Sequence, residues 1–311
     1  MRETTAPILE PTQAARKGAL RVSEAALLLF LAAMTIVAWL HPTSVPISVR
    51  SSYVSTGVLF AVAALALGDQ RHGWRYWARE LLPVPLVPFI FLNLGRLIPL
   101  LNAKTYDQAL LDADRVVLGP EAQAALYRLP LPAWWSDVLT VAYSSYFFLA
   151  ISLMIALIVR RDPNLPQVAA AIVITFLVSY AGYFVVPAYG PRATVALARY
   201  CSLPAGVVGD QMRDLLDQWE KTKTDAFPSG HTMVTLAVLY CARRRFRPLY
   251  HVLLPIGTLL IAATVLLTYH YVVDVLVAIP LAAASLGLAA LLAGPVAKRE
   301  AVPIPPPSPV T

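Results

Sequence analysis

Eight stretches of this chain are apolar over lengths that suit a lipid bilayer, and no other feature constrains its folding as much. They lie at about 23–41, 53–68, 81–101, 137–159, 166–187, 229–242, 249–268 and 270–293. A helix needs about 20 predominantly apolar residues to cross a bilayer, somewhat fewer or more if short or tilted. With 58% hydrophobic and only 14% charged residues, the chain is too apolar for a soluble domain of ordinary composition. The expected fold class is all-α, a polytopic membrane helix bundle.

The net charge of +7 invites a nucleic-acid reading, but the basic residues sit where a membrane topology puts them. Threading the eight spans in order gives one face Arg2, Arg16, Lys17 and Arg21, then Arg71, Arg75 and Arg79, then Arg160 and Arg161, then Arg243, Arg244, Arg245 and Arg247, and finally Lys298 and Arg299. The opposite face collects Asp107, Asp112, Asp114, Glu121, Asp210, Asp214, Asp217, Glu220 and Asp225. The positive-inside rule makes the first face and both termini cytoplasmic, so no nucleic-acid partner is expected. The first apolar run is longer than a signal-peptide core and is expected to be a retained helix. The expected organisation is a cytoplasmic segment 1–22, two transmembrane helices within 23–78, a larger transmembrane domain 79–293 and a proline-rich, disordered tail 294–311. Cys201 and Cys241 fall on opposite faces, too far apart for a disulfide.

This topology brings separate polar stretches to the outer face: YGPRA with Arg192, FPSGH with His231, YHYVVD with His270 and Asp274, and NLGR with Asn93 and Arg96. On a helix, His270 and Asp274, four apart, share a face. A carboxylate there fixes the tautomer of the imidazole and favours its charged form. Ionisable groups in membrane spans are costly and mark function. Pro228 suits the first turn of a helix. The free amides of Ser229, Gly230 and His231 would then form a positive helix end open to an anion. Two histidines, one backed by an aspartate, with an anion site and an arginine, are the parts for phosphoryl transfer through a phosphohistidine. His270 would attack phosphorus and His231 would protonate the departing oxygen.

These motifs resemble those of the type 2 phosphatidic acid phosphatase (PAP2) superfamily, whose membrane members carry K-x6-R-P, P-S-G-H and S-R-x5-H-x3-D on a six-helix core. The resemblance covers roughly residues 80–293, with the first two spans as an addition. It implies His270 as nucleophile, Asp274 as its activating partner, His231 as general acid, and Ser229 and Gly230 as phosphate ligands; Arg192 of AYGPRA is a phosphate-binding candidate on its placement at the same face, not on the resemblance. The chain departs from the pattern in two places. Ala263 and Thr264 stand where the family has Ser-Arg, and AYGPRA replaces K-x6-R-P. With LLDADRVVLGPE at 110–121 and AYSSYFF at 142–148, these departures look more like the branch that contains inositol phosphorylceramide synthase and sphingomyelin synthase, which move a phospho-headgroup from a phospholipid to a lipid alcohol. A diester carries less charge than a monoester, so such a site can use fewer cations; Lys104, Arg96, Arg199, Lys221 and Lys223 are the candidates to restore the charge.

Several weaker expectations complete the picture. Asn93 and Arg96 share a helix face and are candidate headgroup contacts, as are Tyr143 and Tyr146, three apart in the fourth span. The segment from Tyr106 to Leu126 suits an amphipathic helix on the outer surface. His231, His270 and Asp274 could form a metal site, but no HExxH occurs and glycine beside histidine favours an oxyanion, so neither metal nor cofactor is expected. A transporter would spread ionisable groups through the bilayer's depth, whereas here they gather at one rim. Hydrolysis and transfer use the same intermediate and differ only in whether water or a lipid hydroxyl reaches it. The expected partners are a lipid phosphoester, a lipid alcohol acceptor and the bilayer itself.

Overall fold

The computed structural model describes residues 20–70, 73–197, 203–204, 206, 208–219 and 222–298. Most of the N-terminal segment and of the proline-rich tail, together with Arg71, Arg199, Cys201, Glu220 and Lys221, lie outside these residues. The regular elements of the described chain are α-helices: α1 Val22–Leu40, α2 Ile47–Leu67, α3 Gly73–Leu81, α4 Pro83–Leu101, α5 Asp107–Leu118, α6 Pro120–Arg128, α7 Ala133–Ser144, α8 Tyr146–Val159, α9 Leu165–Val185, α10 Gly209–Trp219, α11 Gly230–Arg245, α12 Arg247–Leu266 and α13 Val272–Ala293, with one 3-10 turn at Pro191–Ala193. Proline in the first turn opens α4, α6, α9 and α12, where its missing N–H costs no hydrogen bond.

Among the described residues, six segments are long and apolar enough to cross a membrane: α1, α2, α3 with α4, α9, α12 and α13. The expected span 137–159 is instead the pair α7 and α8, bent by 47°, which makes up to a seventh crossing. Ser144 and Ser145 sit at the bend, and their hydroxyls donate to the carbonyls of Thr140 and Ala142, the back-bonding that bends helices. The expected span 229–242 becomes α11, whose 16 residues fall short of the length and hydropathy of a lone crossing. It is enclosed by α8, α9, α12 and α13, and most of its residues are buried. Helices that face other helices carry polar residues that lipid-facing ones do not.

The hub is α9, which packs on α1, α4, α8, α11 and α13. On one side Leu27 and Leu31 of α1 join Ile90 and Leu94 of α4 and Leu177 of α9 in a single apolar cluster, so the two leading helices share the core of the bundle. Ion pairs at the start of α1 also tie it to α3 and to the residues after α2. Arg79 of α3 donates through Nε and Nη2 to Glu24 of α1, both at 2.9 Å, and Arg21 bridges Glu80 at 2.7 Å and Asp69 at 3.0 Å. At the end of α11, Arg245 holds Asp162 at 2.8 Å.

Candidate active site

Two loops meet at the end of the bundle where α11 and α13 begin. Ala188 and Asp225 form a parallel bridge, with the Ala226 amide donating to the Ala188 carbonyl at 3.0 Å. That pairing sets AYGPRA beside AFPSGH. The segment before α13 is then tied to both. The Arg192 amide donates to the Thr268 carbonyl at 2.7 Å, the His270 amide to the Thr264 carbonyl at 2.9 Å, and the Ser229 amide to the Asp274 carbonyl at 3.2 Å. Gly190 has φ +83°, and a Cβ there would overlap the Tyr269 carbonyl, so the loop passes the segment that carries His270 at a distance that only glycine allows.

The two histidines face each other. His270 Nε2 lies 3.4 Å from His231 Nδ1, while His270 Nδ1 is 2.6 Å from the Ala226 carbonyl oxygen. A carbonyl oxygen only accepts, so Nδ1 carries the hydrogen and the lone pair of Nε2 is left pointing at His231. Asp274 Oδ2 stands 3.4 Å from His270 Nδ1, beyond the shorter bond to Ala226. The helical i,i+4 expectation is corrected here, because His270 precedes α13 altogether. Tyr271 is the N-cap of α13, and Asp274, at the third helical position, reaches back to accept the Tyr271 amide at 2.8 Å. This capping arrangement carries the carboxylate to the imidazole. Asp274 is fully buried, and its Oδ1 has no hydrogen-bond partner among the described residues.

The PSGH helix end also differs in detail from expectation. α11 starts at Gly230 with Ser229 as its N-cap, so Pro228 precedes the cap and is not in the first turn. Ser229 Oγ accepts from Thr232 N at 3.3 Å and from Thr232 Oγ1 at 3.0 Å, and its amide is taken by Asp274. Its hydroxyl hydrogen is what remains to offer an anion. The amides of Gly230 and His231 belong to the first turn and have no intrahelical acceptor. A Cβ on Gly230 would overlap the Tyr183 hydroxyl.

His231 is held between rings. Tyr143 stacks on it with centroids 4.5 Å apart, and Tyr146 approaches from 4.2 Å. Tyr143 stacks in turn on Tyr269 at 4.1 Å, and the guanidinium of Arg192 lies 4.3 Å over the Tyr269 ring. The column Arg192, Tyr269, Tyr143, His231, Tyr146 is thus continuous, and the bend after α7 lets both tyrosines of AYSSYFF enter it. Arg192 is buried, as a cation stacked on an aromatic face can be.

Asn93 and Arg96 do not meet this column. Asn93 is buried and donates to the Phe89 carbonyl of its own helix at 2.9 Å, whereas Arg96 is exposed. Three residues advance a helix to about 60° short of a full turn, enough at the edge of a bundle to separate core from surface. Of the other cations considered, Lys104 is exposed and lies 5.0 Å over the Tyr106 ring, and Lys223 is exposed.

The sequence reading missed the part played by α5. The expected single helix from Tyr106 to Leu126 is two, α5 and α6, broken at Gly119, and its acidic residues divide. Asp112 and Glu121 are exposed. Asp107 and Asp114 are buried, because their spacing of seven returns them to one face of the helix, which lies against the site. Asp107 accepts the amides of Tyr189 at 3.1 Å and Gly190 at 2.9 Å and the hydroxyl of Tyr271 at 3.1 Å. Asp114 accepts the amides of Val272 at 2.9 Å and Val273 at 2.7 Å. Burial pushes the Asp114 carboxyl above its ordinary range, against the opposing pull of the Val273 and Val272 amides. The Tyr271 hydroxyl is likewise pushed up, first by burial.

A cavity of about 210 Å³ opens beside His231 and runs between α4, α8 and α9 to Glu80. Its walls are overwhelmingly apolar.

Compared with known proteins, the chain matches no curated protein and no solved structure. Compared with known families, it matches the PAP2 superfamily over residues 108–288, more than half of its 311 residues. The matched segment begins within α5, so α1 to α4 lie outside it, although residues from about 80 were expected to belong to it. It contains the paired histidines, Asp274, Arg192 and the helix end at Ser229 and Gly230, and on that match the chain belongs to the PAP2 superfamily.

Proposed function

We propose that this chain is an integral-membrane phosphotransferase that moves a phospho-headgroup from a phospholipid to a lipid alcohol through a phosphohistidine on His270. The observation that carries this reading is the 3.4 Å approach of His270 Nε2 to His231 Nδ1, with Nδ1 of His270 held on the Ala226 carbonyl. One imidazole presents a lone pair beside a second imidazole able to carry a proton. In the first half-reaction Nε2 attacks phosphorus, the P–O bond to the departing lipid alcohol breaks, and that oxygen takes a proton from His231. In the second, the acceptor hydroxyl attacks phosphorus, the P–N bond breaks, and His231 takes the hydroxyl proton. Asp274 balances the charge that the His270 ring acquires. Arg192, the first-turn amides of Gly230 and His231, and the Ser229 hydroxyl bind the phosphoryl oxygens.

The distribution of arginines and lysines supports an extracytoplasmic site with both termini in the cytoplasm. Supporting a lipid substrate are the polytopic fold and the apolar cavity beside His231.

The test is a product analysis by mass spectrometry and inorganic phosphate assay. Purified protein receives phosphatidic acid, phosphatidylinositol and a lipid alcohol such as ceramide or diacylglycerol, with His270→Ala as control. A new phosphodiester on the alcohol with little free phosphate, absent in the variant, is the expected result. Release of inorganic phosphate that depends on His270 would instead make the protein a lipid phosphate or polyprenyl diphosphate phosphatase. Activity that survives His270→Ala would remove His270 as the nucleophile.

A further inference from the structure

The cavity beside His231 has a length and a polar end, at Glu80, that the phosphoryl chemistry does not use. Along α9 its lining runs from Tyr183 through Phe176 to Ala169, fourteen positions, or about 21 Å at a rise of 1.5 Å per residue. That is well over half the thickness of a hydrocarbon core of about 30 Å. An apolar cavity of about 150 Å³ takes one benzene ring; about 210 Å³ drawn out over such a length is a slot the width of one chain. Its rim includes Ile151, which is exposed, so the slot communicates sideways with the lipid.

The far end is polar and fixed. Glu80 lines it and is buried, bound to Arg21 at 2.7 Å. An ion pair out of water must keep its partners together, so hydrocarbon cannot displace it. One long wall belongs to α4, through Pro83, Val84, Val87, Pro88 and Phe91. These residues and Glu80 lie before residue 108, outside the segment that matches the PAP2 superfamily.

Resting on the phosphotransfer reading above, we propose that this slot holds a single long hydrocarbon chain of the substrate lipid, and that α4 with Glu80 sets the longest chain admitted. The phosphate end lies at His231 and the chain end approaches Glu80. A second chain, where the lipid has one, stays outside in the bilayer. One wall and the far end of the slot then lie outside the family match, so that part of the chain contributes to selecting the substrate.

Two measurements test this. The first uses a series of monoalkyl phosphates of increasing chain length, in the wild type and in Val87→Trp and Val173→Trp, which fill the slot midway. In the wild type kcat/KM is expected to rise with chain length and then stop, and in the variants the ratio of long-chain to short-chain kcat/KM is expected to fall at least tenfold. A ratio unchanged in both variants would overturn the proposal. The second needs neither turnover nor a variant: an alkyl phosphate carrying a diazirine at its chain end is photolysed on the wild-type protein, and the labelled peptides are read by mass spectrometry. Label concentrated on the segment 80–88 is expected. Label spread over lipid-facing helices would show a crevice filled by bulk lipid only and would also overturn it. Concentrated label without turnover of any phosphate would leave the slot standing and remove the phosphotransfer reading instead.

Discussion

The ring of Tyr143 lies on the imidazole of His231, centroids 4.5 Å apart and planes inclined by 25°. Both rings are buried, and Tyr143 passes the contact on to Tyr269 and so to Arg192. The stack therefore orients the proposed acid and the proposed phosphate-binding cation together. Stacked aromatic pairs contribute about 0.5–1.5 kcal/mol beyond the area they bury. Tyr143→Ala is expected to lower kcat about tenfold, while Tyr143→Phe, which keeps the ring, stays closer to the wild type. Steady-state kinetics on the two variants side by side make the comparison, and equal losses would mean that the hydroxyl matters more than the stack.

His231 has a separate signature. General acid catalysis contributes about 10²–10⁴-fold, and only to the extent that the leaving oxygen needs a proton. His231→Ala is expected to lose activity in that range on a lipid ester whose leaving alcohol is weakly acidic. On a nitrophenyl ester, whose leaving group departs without protonation, the loss should be much smaller. A loss of the same size on both esters would assign His231 to binding rather than to proton transfer.

Asp114 and Asp107 act at one remove. Both oxygens of Asp114 accept the first two amides of α13, and Asp107 joins the AYGPRA loop to Tyr271. Loss of a helix cap costs about 0.5–2 kcal/mol. Asp114→Ala is expected to lower the melting temperature in detergent and to reduce kcat more than it raises KM, because it shifts His270 and Asp274 without touching substrate. A fall in melting temperature with kcat unchanged would confine Asp114 to stability.

Much of this arrangement is legible in the sequence, and the parts that are not share a cause. The apolar runs give the helical bundle because bilayer thickness fixes span length. Histidine, glycine and aspartate in PSGH and H-x3-D carry chemistry that few other residues supply, so they stand out without a structure. α11 reads in the sequence as a span like the others, and its enclosure by α8, α9, α12 and α13 is a tertiary property that the residue types alone do not carry. Asp107 and Asp114 read as solvated charges for the same reason: the amides that bury them lie more than 80 and more than 150 positions away in the chain. Their spacing of seven, which returns both to one face of a helix, is the one local signal. Ala226, whose carbonyl fixes the tautomer of His270, leaves no trace in residue type, since it acts through its backbone.

The pair Glu24 and Arg79 offers a test of whether α1 is integral to the fold. Both are almost wholly buried, joined by two hydrogen bonds of 2.9 Å, and they tie α1 to α3. Breaking a buried pair by removing one partner costs about 3–5 kcal/mol, because the survivor is left charged and uncompensated; replacing both by apolar residues of similar volume is often neutral. Glu24→Leu alone is expected to destabilise the protein severely, and Glu24→Leu with Arg79→Met to recover most of the loss. Thermal unfolding in detergent, with activity as a second readout, distinguishes the cases. Because Arg79 adjoins Glu80 at the end of the apolar slot, recovery of stability without recovery of long-chain turnover would place the geometry of this corner, and not merely its burial, in substrate selection.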